Sequence, residues 1–276
     1  MIAKVGQGPY SVGIDFNCLV EFAQRLADAS GAAIRPYFRR NMRADNKAAG
    51  DGFDPVTEAD RAAESAIRDL IIESFPEHGV TGEEFQDRPA QSDFQWILDP
   101  IDGTRAFIMG LPVWGTLIGL NRQGRPLLGV MDQPFTGERY WSAAEGAFYR
   151  GPDGGERPIT VRPCGSLSKA KLACTTPEMF ETEEEQRLFR ALSRQVRLTR
   201  FGTDCYAYCQ LAMGHIDLVV EARLKPFDIA PLIPIVEQAG GIVTTWDGGP
   251  AFEGGRVIAA SDPELHAAAL KLLSGG

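Results

Sequence analysis

Asp99 and Asp102 stand three residues apart with a proline between them, in the stretch Trp96-Ile97-Leu98-Asp99-Pro100-Ile101-Asp102-Gly103-Thr104-Arg105-Ala106-Phe107. Carboxylate oxygens are the ligands that hard divalent cations prefer. The apolar residues before Asp99 read as the end of a buried strand, which Pro100 breaks because it has no amide hydrogen. Asp102-Gly103-Thr104 reads as the start of a helix. Both acids therefore fall on a strand-to-helix turn, where the first N–H groups of the helix are open to an anion. Cation ligands beside phosphate donors suggest metal-assisted phosphoryl chemistry. An ordinary Asp-Gly turn would leave the same residues in the same order. Matching acids elsewhere in the chain, Asp60, Glu83 and Asp228, favour the metal.

The elements that must position these acids follow from periodicity. Phe16, Leu19, Phe22, Leu26, Ala29 and Ala33 recur at helical spacing, and Pro36 ends or kinks that helix. Residues 39–53, with Lys47 among them, are polar and glycine-containing and read as a loop. Residues 57–75 read as an amphipathic helix capped by Thr57-Glu58-Ala59-Asp60, with Ile67, Leu70, Ile71 and Ser74 inward. Asp60 is then either a first-turn acid favoured by the helix dipole or a group near the metals. After the Asp99 turn, 113–120, 127–131, 139–142 and 147–149 read as strands of a meander.

Gly151-Pro152-Asp153-Gly154-Gly155 punctuates the chain and suggests two domains, 1–150 with helices on an antiparallel sheet and 151–276 of α/β type. In the second, strands at 171–175, 196–201, 216–222, 242–246 and 257–260 alternate with helices at 183–194, 203–213, 228–238 and 263–273. Asp228 opens one of those helices, where an aspartate also serves as a plain cap.

Gly82-Glu83-Glu84, the Asp-Pro-Ile-Asp-Gly-Thr of 99–104, Phe227-Asp228 and Ala239-Gly240-Gly241 follow one another in an order that resembles the inositol monophosphatase-like phosphatases. The resemblance runs from about residue 57 to about residue 241. It implies an α+β and α/β fold, a layered αβαβα sandwich, and a magnesium-dependent phosphomonoesterase. It implies that Glu83, Asp99 and the carbonyl of Ile101 hold one ion. Asp99 would bridge to a second, held also by Asp102 and Asp228. A third, weaker ion would sit at Glu83. Glu83 and Thr104 would orient the attacking water, with Asp60 behind the Thr104 hydroxyl. The phosphate would rest on the N–H groups of Gly103 and Thr104, and Asp204 and Glu221 would touch the organic half of the substrate.

Within that family, Phe107-Ile108-Met109-Gly110, Met131-Asp132-Gln133-Pro134 and Asp204-Cys205-Tyr206-Ala207-Tyr208 are similar to the histidinol-phosphate phosphatase branch. Phe227 stands where inositol monophosphatases usually carry tryptophan. L-Histidinol phosphate presents an ammonium and an imidazole, donors that suit Asp204 and Glu221. The alternatives are a phosphatase of inositol phosphate or another small ester, and a regulatory or binding protein on the same fold. The intact acid set argues against the last.

Composition limits the partners. A net charge of −9 leaves no basic footprint for nucleic acid or an anionic membrane. No apolar run approaches the roughly 18 residues that cross a bilayer, and residues 1–10 lack a signal-peptide core. Five cysteines, an odd number, suggest a reduced, cytoplasmic protein. Cys205 and Cys209 read as small buried hydrophobes, and His78, His215 and His266 lack zinc spacing. The expected partner is a small phosphate ester, and the resemblance implies a homodimer.

Overall fold

The computed structural model describes residues 15–40, 44–46 and 55–275. Helix α1 (Phe16–Ile34) starts where the Asp15 carboxylate accepts the Asn17 N–H at 3.1 Å, and it buries Leu19, Phe22, Ala23 and Leu26. Two short antiparallel strands follow, β1 (Ala44–Asn46) and β2 (Pro55–Thr57). Lys47 and the rest of the expected loop through residue 53 lie outside the described residues, apart from 39–40 and β1. Helix α2 (Glu58–Ser74) buries Ala59, Ala63, Ile67 and Ile71. Ser74 does not face inward as its spacing predicts: it is exposed, because the helix ends there and Phe75 makes the core contact instead.

Among the described residues, seven strands form the first sheet in sequence order: β3 (Gly79–Gly82), β4 (Phe94–Asp102), β5 (Gly115–Arg122), β6 (Arg125–Gln133), β7 (Glu138–Ala143), β8 (Gly146–Arg150) and β9 (Glu156–Ile159). Only the β3–β4 pair is parallel. Helix α3 (Thr104–Ile108) interrupts the meander between β4 and β5. The glycine-rich 151–155 segment is the hairpin loop between β8 and β9, so the sheet continues to Ile159.

The second sheet has the order β11-β10-β12-β14-β13, from β10 (Lys171–Cys174), β11 (Leu198–Phe201), β12 (Leu218–Leu224), β13 (Ile242–Thr245) and β14 (Gly255–Ala260). Strand β10 runs parallel to β11 and β12, and β14 is antiparallel to both its neighbours. Its helices are α4 (Glu183–Ser193), α5 (Tyr206–Ala212), α6 (Pro226–Ile229), α7 (Leu232–Gln238) and α8 (Pro263–Leu273). The single helix expected over 228–238 is therefore two. Pro231 has no N–H for the helical ladder, so the chain breaks there.

Three apolar cores stack these elements into five layers, αβαβα. Helices α1 and α2 pack on the outer face of the first sheet through Leu26, Ile67, Trp96 and Ile118. Helices α5 and α7 fill the space between the sheets through Leu211, Leu232 and Val236, against Leu117 on one side and Val219 on the other. Helices α4 and α8 cover the far face through Leu188, Leu192, Leu265 and Ala269. The middle layer approaches the first sheet closely at paired glycines. Gly119 of β5 and Gly129 of β6 are register partners, and a Cβ on Gly129 would lie 1.7 Å from the Pro231 carbonyl oxygen. Those glycines set how near the α6–α7 segment, and Asp228 on it, comes to β4 and β5.

Candidate active site

In a regular strand, residues three apart face opposite sides of the sheet. Asp99 and Asp102 escape that rule because β4 carries a bulge between them, where its register with β5 shifts. Pro100 therefore does not end the strand as its chemistry suggests. It sits in the bulge, where a missing N–H leaves no ladder bond unmade, and β4 continues to Asp102. The bulge is held from below. The Thr116 hydroxyl donates to the Pro100 carbonyl at 2.7 Å, and Thr116 in turn bonds the Ser30 hydroxyl of α1 at 3.0 Å. One Asp99 oxygen accepts the Ile101 N–H at 3.1 Å.

The chain then turns at Gly103, whose φ of +84° suits glycine, and where a Cβ would meet Asp204 at 3.1 Å. Thr104 opens α3, and its hydroxyl donates to the Ile101 carbonyl at 3.1 Å. That carbonyl keeps a second lone pair.

Asp228 arrives from the other sheet's layer. It is the third residue of α6, and one of its oxygens accepts the Lys225 N–H at 2.7 Å. The capping role is thus real and occupies one oxygen only. Ligand atoms of Asp99, Asp102 and Asp228 lie within 4.8 Å of one another. Asp102 also accepts the Cys205 N–H at 2.8 Å, which ties the β4 turn to the start of α5.

Glu83 follows β3 and is half-buried, and Asp60 is buried in the first turn of α2. Both bear on Asp99. Burial pushes the Asp99 carboxyl well above the ordinary range, and Glu83, Asp102, Asp228 and Asp60 push it the same way. Burial likewise raises Asp102, with Asp228 and Asp204 adding to it. Asp228 is pushed up to about 7, chiefly by burial; the Lys225 N–H opposes and Glu83 assists. Five acids separated by up to 168 positions in the chain, from Asp60 to Asp228, therefore share one electrostatic neighbourhood. The donors are all oxygen, and their mutual repulsion calls for a cation. That is the donor set of a magnesium-class ion, and the residues fit one.

Beside Asp102 and Asp228 opens a cavity of about 90 Å³, with Asp204, Glu221, Thr175 and Tyr208 on its wall. Asp204 sits in the left-handed region, with a φ of +41°, which aspartate tolerates better than most residues. Burial and then Glu221 push its carboxyl up to about 7, against the pull of Arg105. Glu221 is buried in the middle of β12, just before the irregularity in its pairing with β14. One oxygen accepts the Thr175 N–H at 3.0 Å and the Thr175 hydroxyl; the other accepts the Tyr208 hydroxyl at 2.9 Å. Thr175 and Tyr208 were not anticipated as site residues. Tyr208 sits in an apolar helix and reads as core, and its four-residue spacing from Asp204 was the available signal.

The structure thus brings Glu83, Asp99, Asp102, Asp228 and Asp60 together, with Ile101, Gly103 and Thr104 on the adjoining turn. Asp204 and Glu221 lie on the neighbouring wall.

A family model described as the inositol monophosphatase family matches residues 15–275. The chain is 41% identical over 259 residues to a bifunctional chloroplast phosphatase, IMPL2, of Arabidopsis thaliana, covering 90% of this chain and 72% of that protein. It is 37% identical over 224 residues to a histidinol-phosphatase of Chlorobaculum parvum, covering 80% of this chain and 83% of that one. Among solved structures, an inositol monophosphatase from Zymomonas mobilis superposes with a TM-score of 0.84 at 42% identity. The match covers 95% of this chain and all of that one.

Proposed function

The chain belongs to the inositol monophosphatase family and is a phosphomonoesterase, and on that premise we propose that it hydrolyses L-histidinol phosphate to L-histidinol and phosphate at the acid cluster. The observation that carries the choice of substrate is the wall facing the leaving group. Asp204 and Glu221 line it, and no lysine or arginine is among the residues that form it. A cationic ammonium gives these two acids a charge-assisted partner that a neutral polyol does not supply. The histidinol-phosphatase relatives support the same reading. The Zymomonas neighbour, titled an inositol monophosphatase, favours the alternative of inositol phosphate.

In this reading Glu83, Asp99 and the Ile101 carbonyl would hold one magnesium ion. Asp99, Asp102 and Asp228 would hold a second, and Glu83 would hold a third, weaker one. Bound magnesium supplies positive charge to the phosphoryl oxygens and makes water a better nucleophile. The chain's own groups do the positioning. The Thr104 hydroxyl, fixed by its bond to the Ile101 carbonyl, has lone pairs left to accept from the attacking water. Glu83 would accept the water's other hydrogen, and Asp60 would act as the relay when the Thr104 hydroxyl turns its single hydrogen from the Ile101 carbonyl to the Asp60 carboxylate. The Gly103 and Thr104 N–H groups receive the phosphate. Asp204 and Glu221 hold the ammonium and imidazole of the leaving alcohol. The reading also takes the chain as two domains, with the boundary placed after β9 rather than at 150 because β9 pairs with β8, as a homodimer and as cytoplasmic. No described helix is long and apolar enough to cross a membrane.

The test is phosphate release from L-histidinol phosphate by the wild type and by Asp99→Asn, with magnesium and with a chelator. Turnover should require both magnesium and Asp99. Release that survives either loss would remove the acid cluster from the reaction.

A further inference from the structure

Glu64 and Arg68 take no part in the chemistry above, yet their polar atoms all converge on the segment that carries Glu83. Asp60, Glu64 and Arg68 are spaced by four along α2 and so form one row on its surface. Glu64 has no exposed surface. One of its oxygens accepts the Glu84 N–H at 2.8 Å, and the other accepts the Arg68 Nε–H at 2.7 Å. The remaining nitrogens of Arg68 donate to the carbonyls of Gln86, at 3.1 Å, and Phe85, at 3.3 Å. On the other side of Glu83, Gly82 lies against the same carboxylate, so closely that a Cβ there would stand 2.2 Å from a Glu64 oxygen. Residues 82, 84, 85 and 86 are therefore all fixed by one pair of side chains. Glu83 is the residue they bracket.

A buried ion pair is a poor device for stability alone, because well-packed apolar side chains of similar volume do as well or better. It is a good device for directing a loop, because each hydrogen bond fixes an orientation. We propose that Glu64 and Arg68 are positioning residues for the metal centre: together they hold the 82–86 segment so that the Glu83 carboxylate points at Asp99. The proposal rests on the reading of Glu83 as a metal ligand. It adds that a second carboxylate on α2, which never touches the ion, sets the affinity for it. Groups that orient metal ligands from behind typically govern affinity by about 10–100-fold.

The experiment titrates magnesium alone into the full-length, metal-stripped protein by calorimetry, for the wild type, Glu64→Gln and Arg68→Met. Glu64→Gln keeps the shape and removes the charge that binds both the Glu84 N–H and Arg68. Arg68→Met keeps most of the apolar stem and removes the carbonyl contacts. Glu73→Gln, at an exposed acid on the same helix, matches the charge change of Glu64→Gln. The expected result is magnesium affinity about tenfold or more weaker in Glu64→Gln and Arg68→Met, and unchanged in Glu73→Gln. The magnesium concentration that half-saturates phosphate release should rise by the same factor, while kcat at saturating magnesium stays within about threefold. If Glu64→Gln fails to fold, Arg68→Met decides the question. A lowered melting temperature with unaltered magnesium affinity would overturn the proposal and leave an ordinary structural ion pair. A wild type that binds no magnesium would overturn the Glu83 assignment itself, which separates the two failures.

Discussion

Replacing Asp228 with asparagine should stabilise the metal-free protein at neutral pH while removing its magnesium-dependent turnover. The Asp228 carboxyl is pushed from 3.8 to about 7, first by burial, with Glu83 adding repulsion. The sign follows from linkage. A carboxyl whose folded pKa lies above its unfolded value binds its proton more tightly in the folded state. Its favourable contribution is present below pH 4 and is lost as pH rises through about 7. A rise of about three units, at roughly 1.4 kcal/mol each, bounds the loss near 4 kcal/mol. Water entering the metal-free site solvates part of the charge, so we expect about 2 kcal/mol, or roughly 4–8 °C in Tm. Asparagine can still accept the Lys225 N–H, so the start of α6 is kept. The assay is calorimetric melting in chelator at pH 4, 5.5 and 7.5. The variant should match the wild type at pH 4 and exceed it at pH 7.5. Added magnesium should then raise the wild type more than the variant, which keeps the ligands of one ion but lacks the Asp228 carboxylate for the second. Equal Tm values in chelator at pH 7.5 would refute the idea that Asp228 sits in an uncompensated negative cluster.

Thr104→Ala should lower kcat by about tenfold or more with little change in KM, because a water-orienting hydroxyl acts mainly in the transition state; steady-state kinetics with unaltered kcat would leave Thr104 a helix-start residue only. Tyr208→Phe frees one Glu221 oxygen and should cost kcat/KM for L-histidinol phosphate about tenfold, but leave a simple aryl phosphate nearly untouched. A parallel loss on both esters would show that Tyr208 supports the fold rather than selectivity. Gly129→Ala should destabilise by about 3 kcal/mol in urea unfolding, since the new methyl group would strike the Pro231 carbonyl; an unshifted midpoint would contradict the close approach of the middle layer.

Much of the site was legible because its acids sit in short, ordered motifs. Asp99, Asp102, Glu83 and Asp228 could be named from spacing and resemblance before any contact was known. The way they meet was not legible. Spacing alone puts Asp99 and Asp102 on opposite faces of a strand, and the bulge that reunites them depends on Thr116 and Ser30, which are distant in sequence. Tyr208 and Glu64 stayed hidden for a related reason: each sits within a helix where its type suits an ordinary helical position, and its partner lies on another element. Periodicity likewise found the long helices and the central strands. It missed β9, where Glu156, Arg157 and Pro158 give no alternation, and a sheet-edge position tolerates them. It also fused α6 and α7, because apolar residues continue at helical spacing across the break that Pro231 imposes.

The most direct test of the account compares kcat/KM for L-histidinol phosphate and inositol 1-phosphate on one preparation in magnesium buffer. A wall lined by Asp204 and Glu221 predicts a preference for L-histidinol phosphate of about 100-fold or more. Equal or better turnover of inositol 1-phosphate would contradict it.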